Sequence, residues 1–172
     1  MVTIAAPTGG ADSQIGMGHN TAPSLAEFES ALLLAADAYR RWIVAGLDRA
    51  GQAGLSPLEA LFLLILTGRD EPLSFAELCT TARVAEAHLA HYALRKLQGL
   101  GLVQTARQGK RKTVGLTDRG HELTANFHAL YGALLDAQAT ALSHGKELGR
   151  MADAMRELAA FYERAKQATQ TC

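Results

Sequence analysis

The sequence predicts a mainly α fold with one small β-hairpin. Three observations carry the prediction. Apolar residues recur at three- and four-residue steps through most of the chain from Leu25 onward, the period of one helix face. Three Ser-x-x-Glu boxes, at Ser24, Ser56 and Ser74, each stand at the start of a periodic stretch, as capping boxes do. Between Leu102 and Leu116 the helical period lapses, and two short strand-like runs flank a basic turn.

Each element has its own signal. Met1 to Pro23 is rich in Gly, Ala, Thr and Pro, lacks an apolar period and reads as a flexible arm. From Ser24 a long helix places Leu25, Phe28, Leu32, Ala35, Tyr39, Trp42, Ile43 and Leu47 in a stripe, until Gly51 and Gly54 stop it. Ser56-Pro57-Leu58-Glu59 opens a second helix with Ser as cap and Pro at the first helical position. Leu58, Leu61, Phe62, Ile65 and Leu66 form its buried stripe, and Gly68 ends it. Ser74 caps a short third helix, to about Thr81, that buries Phe75, Leu78 and Cys79. After a turn near Ala82 to Val84 a fourth helix runs from about Ala85 to Gly99 with no convincing cap. Val84, Leu89, Leu94 and Leu97 lie among the apolar positions of the two-helix unit. His88, His91, Tyr92, Arg95 and Lys96 are its polar set, with His88, His91 and Arg95 on one face. Two short helices about a tight turn are a helix-turn-helix.

The strands follow at Leu102 to Thr105 and Thr113 to Leu116, joined by a turn with Gly109 at its tip. Thr117 caps a helix with Leu123, Phe127, Leu130, Leu134 and Ala141 in its stripe, to about Leu142. Ser143-His144-Gly145 turns the chain. Leu148, Met151, Met155, Leu158 and Tyr162 form a last stripe, to about Ala168. The order is that of a winged helix-turn-helix with N- and C-terminal dimerisation helices. The expected organisation is an arm (1–23), a dimerisation helix (24–54), a DNA-binding domain (55–117) and C-terminal dimerisation helices (118–172). The long helices have little local core to cover, which points to an intersubunit bundle and a symmetric homodimer.

Charge supports a nucleic-acid partner. The 172 residues hold 17 Lys+Arg and 17 Asp+Glu. From Arg83 to Arg119 there are eight basic residues and two acidic ones, a net +6; the remainder holds nine basic and fifteen acidic, a net −6. A neutral average thus hides a basic segment, the kind that displaces counterions from DNA phosphates.

Other classes find little support. Cys79 and Cys172 are far apart and form no CxxC, so neither a disulfide framework nor a zinc ribbon is implied, and a reducing cytoplasm fits. His88 and His91 lie one turn apart, and His121 and His128 two turns apart, but no local stretch supplies the three or four ligands zinc needs. Neither a metal nor a cofactor is expected. The longest apolar run, Ala60 to Leu66, is too short to cross a bilayer, and no signal peptide is expected. The P-loop, GxSxG, HExxH and dinucleotide signatures of enzymes do not occur.

Two segments carry a family resemblance. Leu94-Arg95-Lys96-Leu97-Gln98-Gly99-Leu100-Gly101-Leu102-Val103 is similar to an LxxLxxxGLV pattern, and Val114-Gly115-Leu116-Thr117-Asp118-Arg119-Gly120 to a VxLTxxG pattern. With the helical order on either side, about Ser24 to Ala168 resembles the MarR family of transcriptional regulators. The resemblance implies a dimeric, ligand-responsive repressor that binds double-stranded DNA. His88, His91 and Tyr92 would face base edges, Arg95 and Lys96 phosphate, and Arg107, Lys110, Arg111 and Lys112 would contact DNA from the wing. It also implies a small-molecule effector pocket, which Tyr39, Trp42, Phe62 and Phe127 would line if they are not simply core. Gln108-Gly109-Lys110 stands where the family's wing usually carries Asp-x-Arg. The rival reading is a winged-helix module that binds another regulator instead of DNA.

Overall fold

The computed structural model describes residues 24–69, 71–108, 111–142 and 145–170. The expected arm, 1–23, lies outside them. Six helices and three strands follow one another: α1 (Leu25–Arg49), α2 (Pro57–Leu66), β1 (Leu73–Ser74), α3 (Phe75–Thr81), α4 (Ala87–Gly99), β2 (Val103–Gln108), β3 (Arg111–Leu116), α5 (Asp118–Leu142) and α6 (Gly145–Gln170). Contacts divide the chain into two compact units, up to Ala36 and from Asp37. In the first, the α1 residues Leu25, Leu33 and Leu34 are exposed.

The core of the second unit gathers Ile43 and Leu47 from α1, Phe62 and Leu63 from α2, Leu78 from α3, and Leu94 and Leu97 from α4. Leu102, Val114, Leu123 and Phe127 complete it. Burying each large apolar side chain is worth about 1.5–3 kcal/mol. Helix α2 runs through the middle. Its one-sided stripe is corrected accordingly: Leu63 is fully buried, whereas Leu58, Leu61 and Ile65 are half-buried. Gly46 of α1 sits directly on Phe127, and a Cβ there would lie 2.6 Å from the ring.

The sheet has the order β1-β3-β2 and is antiparallel throughout. β2 and β3 pair from Val103↔Leu116 to Gln108↔Arg111. The hairpin is thus longer than its strand-like runs suggested, because register is kept through polar residues. β1 pairs Leu73 with Val114 and Ser74 with Thr113. Two residues carry no periodicity, so this strand had no signal in the sequence.

The expected stripe of α6 is only half realised. Leu158 and Tyr162 are half-buried, while Met151, Met155 and Phe161 are exposed. Leu134, Ala141 and Leu148 lie outside the side chains described.

Candidate nucleic-acid interface

The first helix of the helix-turn-helix opens on a capping carboxylate. Ser74 N–H donates to Glu77 Oε2 at 2.8 Å, and Glu77 N–H donates back to Ser74 Oγ at 3.3 Å, which starts α3. These bonds from Ser74, and then Arg111, stabilise the charged form and pull the Glu77 carboxyl down to about 2. The third helix ends in a Schellman turn: Val84 N–H donates to Cys79 O at 3.0 Å and Arg83 N–H to Thr80 O at 3.2 Å. Arg83 occupies the left-handed position of that turn, at φ 55°. Helix α4 then starts at Glu86 with no side-chain cap.

On α4, Ala90, Ala93, Leu94 and Leu97 face the core. His88, Tyr92 and Arg95 project outward and are exposed. His88 Nε2 lies 3.4 Å from Glu86 Oε2. The His91 ring is stacked on Phe75, with centroids 4.0 Å apart and planes 15° apart. Between α4 and the hairpin lies a cavity of about 450 Å³, lined among others by Phe75, His91, Arg95, Thr105 and Lys112. Leu89 departs from expectation. It is 46% exposed, because the core-facing arc is filled by the two alanines and two leucines.

The cations divide into two sets. Lys96, expected at phosphate, turns instead toward the α1–α2 junction. Its Nζ donates to the Gly54 carbonyl at 2.7 Å and lies 2.9 Å from Glu59 Oε2. Glu59 is 2% exposed, and that carboxylate also closes the capping box of α2 through Ser56 N–H at 2.8 Å. A buried carboxylate needs a compensating cation, and among the described residues Lys96 supplies it. Arg111 is paired with Glu77, tying the hairpin to the start of α3. Arg119 donates to Leu100 O at 3.0 Å and to Gln52 Oε1 at 3.2 Å. These three act within the fold. Arg83, Arg95, Arg107 and Lys112 are exposed and make no ion pair among the described residues. Lys110 lies outside the described residues, as does Gly109.

Of the four aromatic residues expected at an effector pocket, Tyr39, Trp42 and Phe127 gather in one ring cluster. Phe62 is fully buried in the core. Trp42 packs on Phe127 at 5.4 Å, on Tyr131 at 5.1 Å and on Tyr39 at 6.1 Å, a ring cluster between α1 and α5. That packing is what core and helix-crossing residues do.

The junction after α4 explains both motifs. Gly101 (φ 69°) terminates the helix in a second Schellman turn, with Leu102 N–H on Leu97 O at 3.0 Å. Thr117 Oγ1 donates to Gly101 O at 2.6 Å and accepts from Gly120 N–H at 3.1 Å. A Cβ on Gly120 would lie 2.1 Å from the Leu102 carbonyl oxygen, so only glycine fits.

Comparison with known proteins places this geometry. Residues 55–120 match the family model of the winged helix DNA-binding domain. The fold around it is that of the MarR-family regulators. A MarR transcriptional regulator from Methanosarcina mazei superposes with a TM-score of 0.67 at 15% identity, covering 83% of this chain and 95% of that one. Staphylococcus aureus MarR in complex with salicylate and kanamycin gives 0.61 at 19%, covering 81% and 92%. A Staphylococcus aureus MepR–DNA complex gives 0.59 at 13%, covering 78% and 97%. No curated protein sequence matches the chain. In this fold α4 is the second helix of the helix-turn-helix and the β2–β3 hairpin is the wing. Among the described residues no helix is long and apolar enough to cross a membrane.

The sequence reading missed Arg83 as a candidate contact. Its signal was available: a basic residue in the turn before α4, where glycine would be the relaxed choice.

Proposed function

We propose that the chain is a transcription regulator that binds double-stranded DNA through α4 and the wing. The observation that carries the reading is the set of cations left to solvent on the face of the winged-helix domain that presents α4: Arg83 and Arg95 on the helix side, Arg107 and Lys112 on the wing. Their placement suits phosphates on either side of a major groove occupied by α4. His88 and Tyr92 stand outward between them and take the base-edge role. His91, flat on Phe75, borders the wing side. Lys96 and Arg111 act from behind as positioning residues, one holding α4 and the other the wing. The solved MepR–DNA complex lends the same docking mode support at the level of the fold.

The functional form in this proposal is a homodimer. Met151, Met155 and Phe161 are exposed along α6, an apolar surface that a second copy would cover, and two recognition helices would then meet two half-sites. Regulation is by repression: the dimer occludes a promoter and a small-molecule effector releases it. The complex of Staphylococcus aureus MarR with salicylate and kanamycin supports small aromatic or polar ligands as the effector class to screen.

The test measures binding of the purified protein to its own upstream DNA and to a scrambled duplex at two salt concentrations. The reading expects preference for the upstream fragment and an affinity that falls steeply with salt. Absence of binding to either duplex, together with salt-insensitive capture of another regulator, would replace it with the protein-interaction reading. Light scattering of the same sample checks the dimer, and Met151→Glu with Phe161→Glu should shift it to monomer.

A further inference from the structure

Leu89 is an apolar side chain 46% exposed in the first turn of the recognition helix, three residues before Tyr92, which is 66% exposed. Residues three apart on a helix are neighbours, so the two make one continuous apolar strip. Neither is needed by the core, whose contacts from α4 are made by Ala90, Ala93, Leu94 and Leu97. Around the strip the charge is complementary to a polyanion: Arg83 precedes the helix and Arg95 follows one turn later. Apart from Arg95, the outward face lacks the side chains that read bases by paired hydrogen bonds. It holds no Asn, Asp or Glu between Ala87 and Gly99, and its one Gln, Gln98, is half-buried and reaches Thr105 Oγ1 at 3.4 Å.

An apolar strip on a helix entering the major groove has one complementary feature on DNA, the 5-methyl group of thymine. We infer that Leu89, backed by the ring of Tyr92, reads thymine methyl groups and sets a preference for thymine in the half of each site facing the start of α4. The inference rests on the DNA-binding reading above and deepens it. The mechanism is removal of methyl and leucine surface from water, so each methyl contributes about fourfold in affinity. It carries no charge and leaves the salt dependence to the cations.

The experiment first enriches sequences from a random duplex library with the full chain. The enriched duplex is then resynthesised with deoxyuridine in place of one thymidine at a time, which deletes a single methyl and preserves base pairing. Fluorescence anisotropy gives the affinity of each. One or two positions per half-site should lose about fourfold. Leu89→Ala should bind more weakly to the natural duplex, lose the sensitivity at those positions, and keep the slope of affinity against salt. If deoxyuridine has no effect at any position while the natural duplex is still bound specifically, the inference is overturned and the DNA-binding reading stands. If the sensitivity persists in Leu89→Ala, Leu89 is not the reader. If no sequence is enriched, the DNA-binding reading falls and takes this inference with it. The deoxyuridine series on the unaltered protein does not depend on how any variant folds.

Discussion

Helices α3 and α4 end in the same way and with different residues. Both close in Schellman turns, with the two backbone bonds of the motif present in each. At α4 the left-handed position is Gly101, φ 69°; at α3 it is Arg83, φ 55°. For a residue with a Cβ that conformation costs about 1–2 kcal/mol, and for glycine it costs almost nothing. The α4 end faces the protein, where Leu102, Thr117 and Gly120 converge on it. The α3 end is exposed in the turn before α4. Where the turn serves only the fold, the relaxed residue is present. Where it borders the proposed DNA surface, a cation is kept in spite of the strain, the direction of inference that an observed backbone outlier licenses.

Four perturbations break or sharpen that contrast. The largest effect falls on the protein-facing end. Gly120→Ala drives a Cβ into the Leu102 carbonyl and should destabilise the domain by about 3 kcal/mol in urea denaturation, because backbone rather than a side-chain tip must yield. A loss under about 1 kcal/mol would show that the start of α5 can shift. Next is Lys96→Met, which leaves the buried Glu59 carboxylate facing α4 with its cation removed. A loss of about 2 kcal/mol is expected; full stability at neutral pH would place Lys96 with the solvent-facing cations instead.

The third test exchanges the two turns. Gly101→Ala should lose about 1 kcal/mol, and Arg83→Gly should gain about as much. The gain comes with weaker DNA binding and a salt slope smaller by about one unit. An Arg83→Gly variant that is more stable and binds equally well would mean that the strain at α3 serves no contact. The smallest effect is electrostatic. Glu77 titrates near 2, below its ordinary 4.5, chiefly through the Ser74 bonds and then Arg111. A depressed carboxyl contributes its stabilisation in full above pH 4.5 and loses it as pH falls toward 2. Stability curves of the wild type and Glu77→Gln should therefore converge between those values. Curves that stay parallel through that window would show that the capping box does not depend on the charge.

The sequence by itself determined the helices and the starts of α1, α2 and α3. Ser24, Ser56 and Ser74 cap where the pattern placed them, because a capping box is local: four residues supply both donors and both acceptors. The Gly-Leu-Gly-Leu junction and the Thr-Asp-Arg-Gly segment were legible as patterns: Gly101 answers the left-handed conformation of its own position, whereas the need for Gly120 comes from the Leu102 carbonyl packed against it. The hairpin was legible in place and short in extent. Tertiary structure alone decided which cations are held by partners within the fold. Lys96, Arg111 and Arg119 look the same as Arg95, Arg107 and Lys112 in a charge count, but their partners are 37, 34 and 67 positions away in sequence, at Glu59, Glu77 and Gln52. It also decided the fate of Leu89. Helical period marks a residue as apolar on a repeating arc, but the neighbours that pack against the helix decide how wide that arc is. On α4 two alanines and two leucines fill it, and Leu89 is left outside.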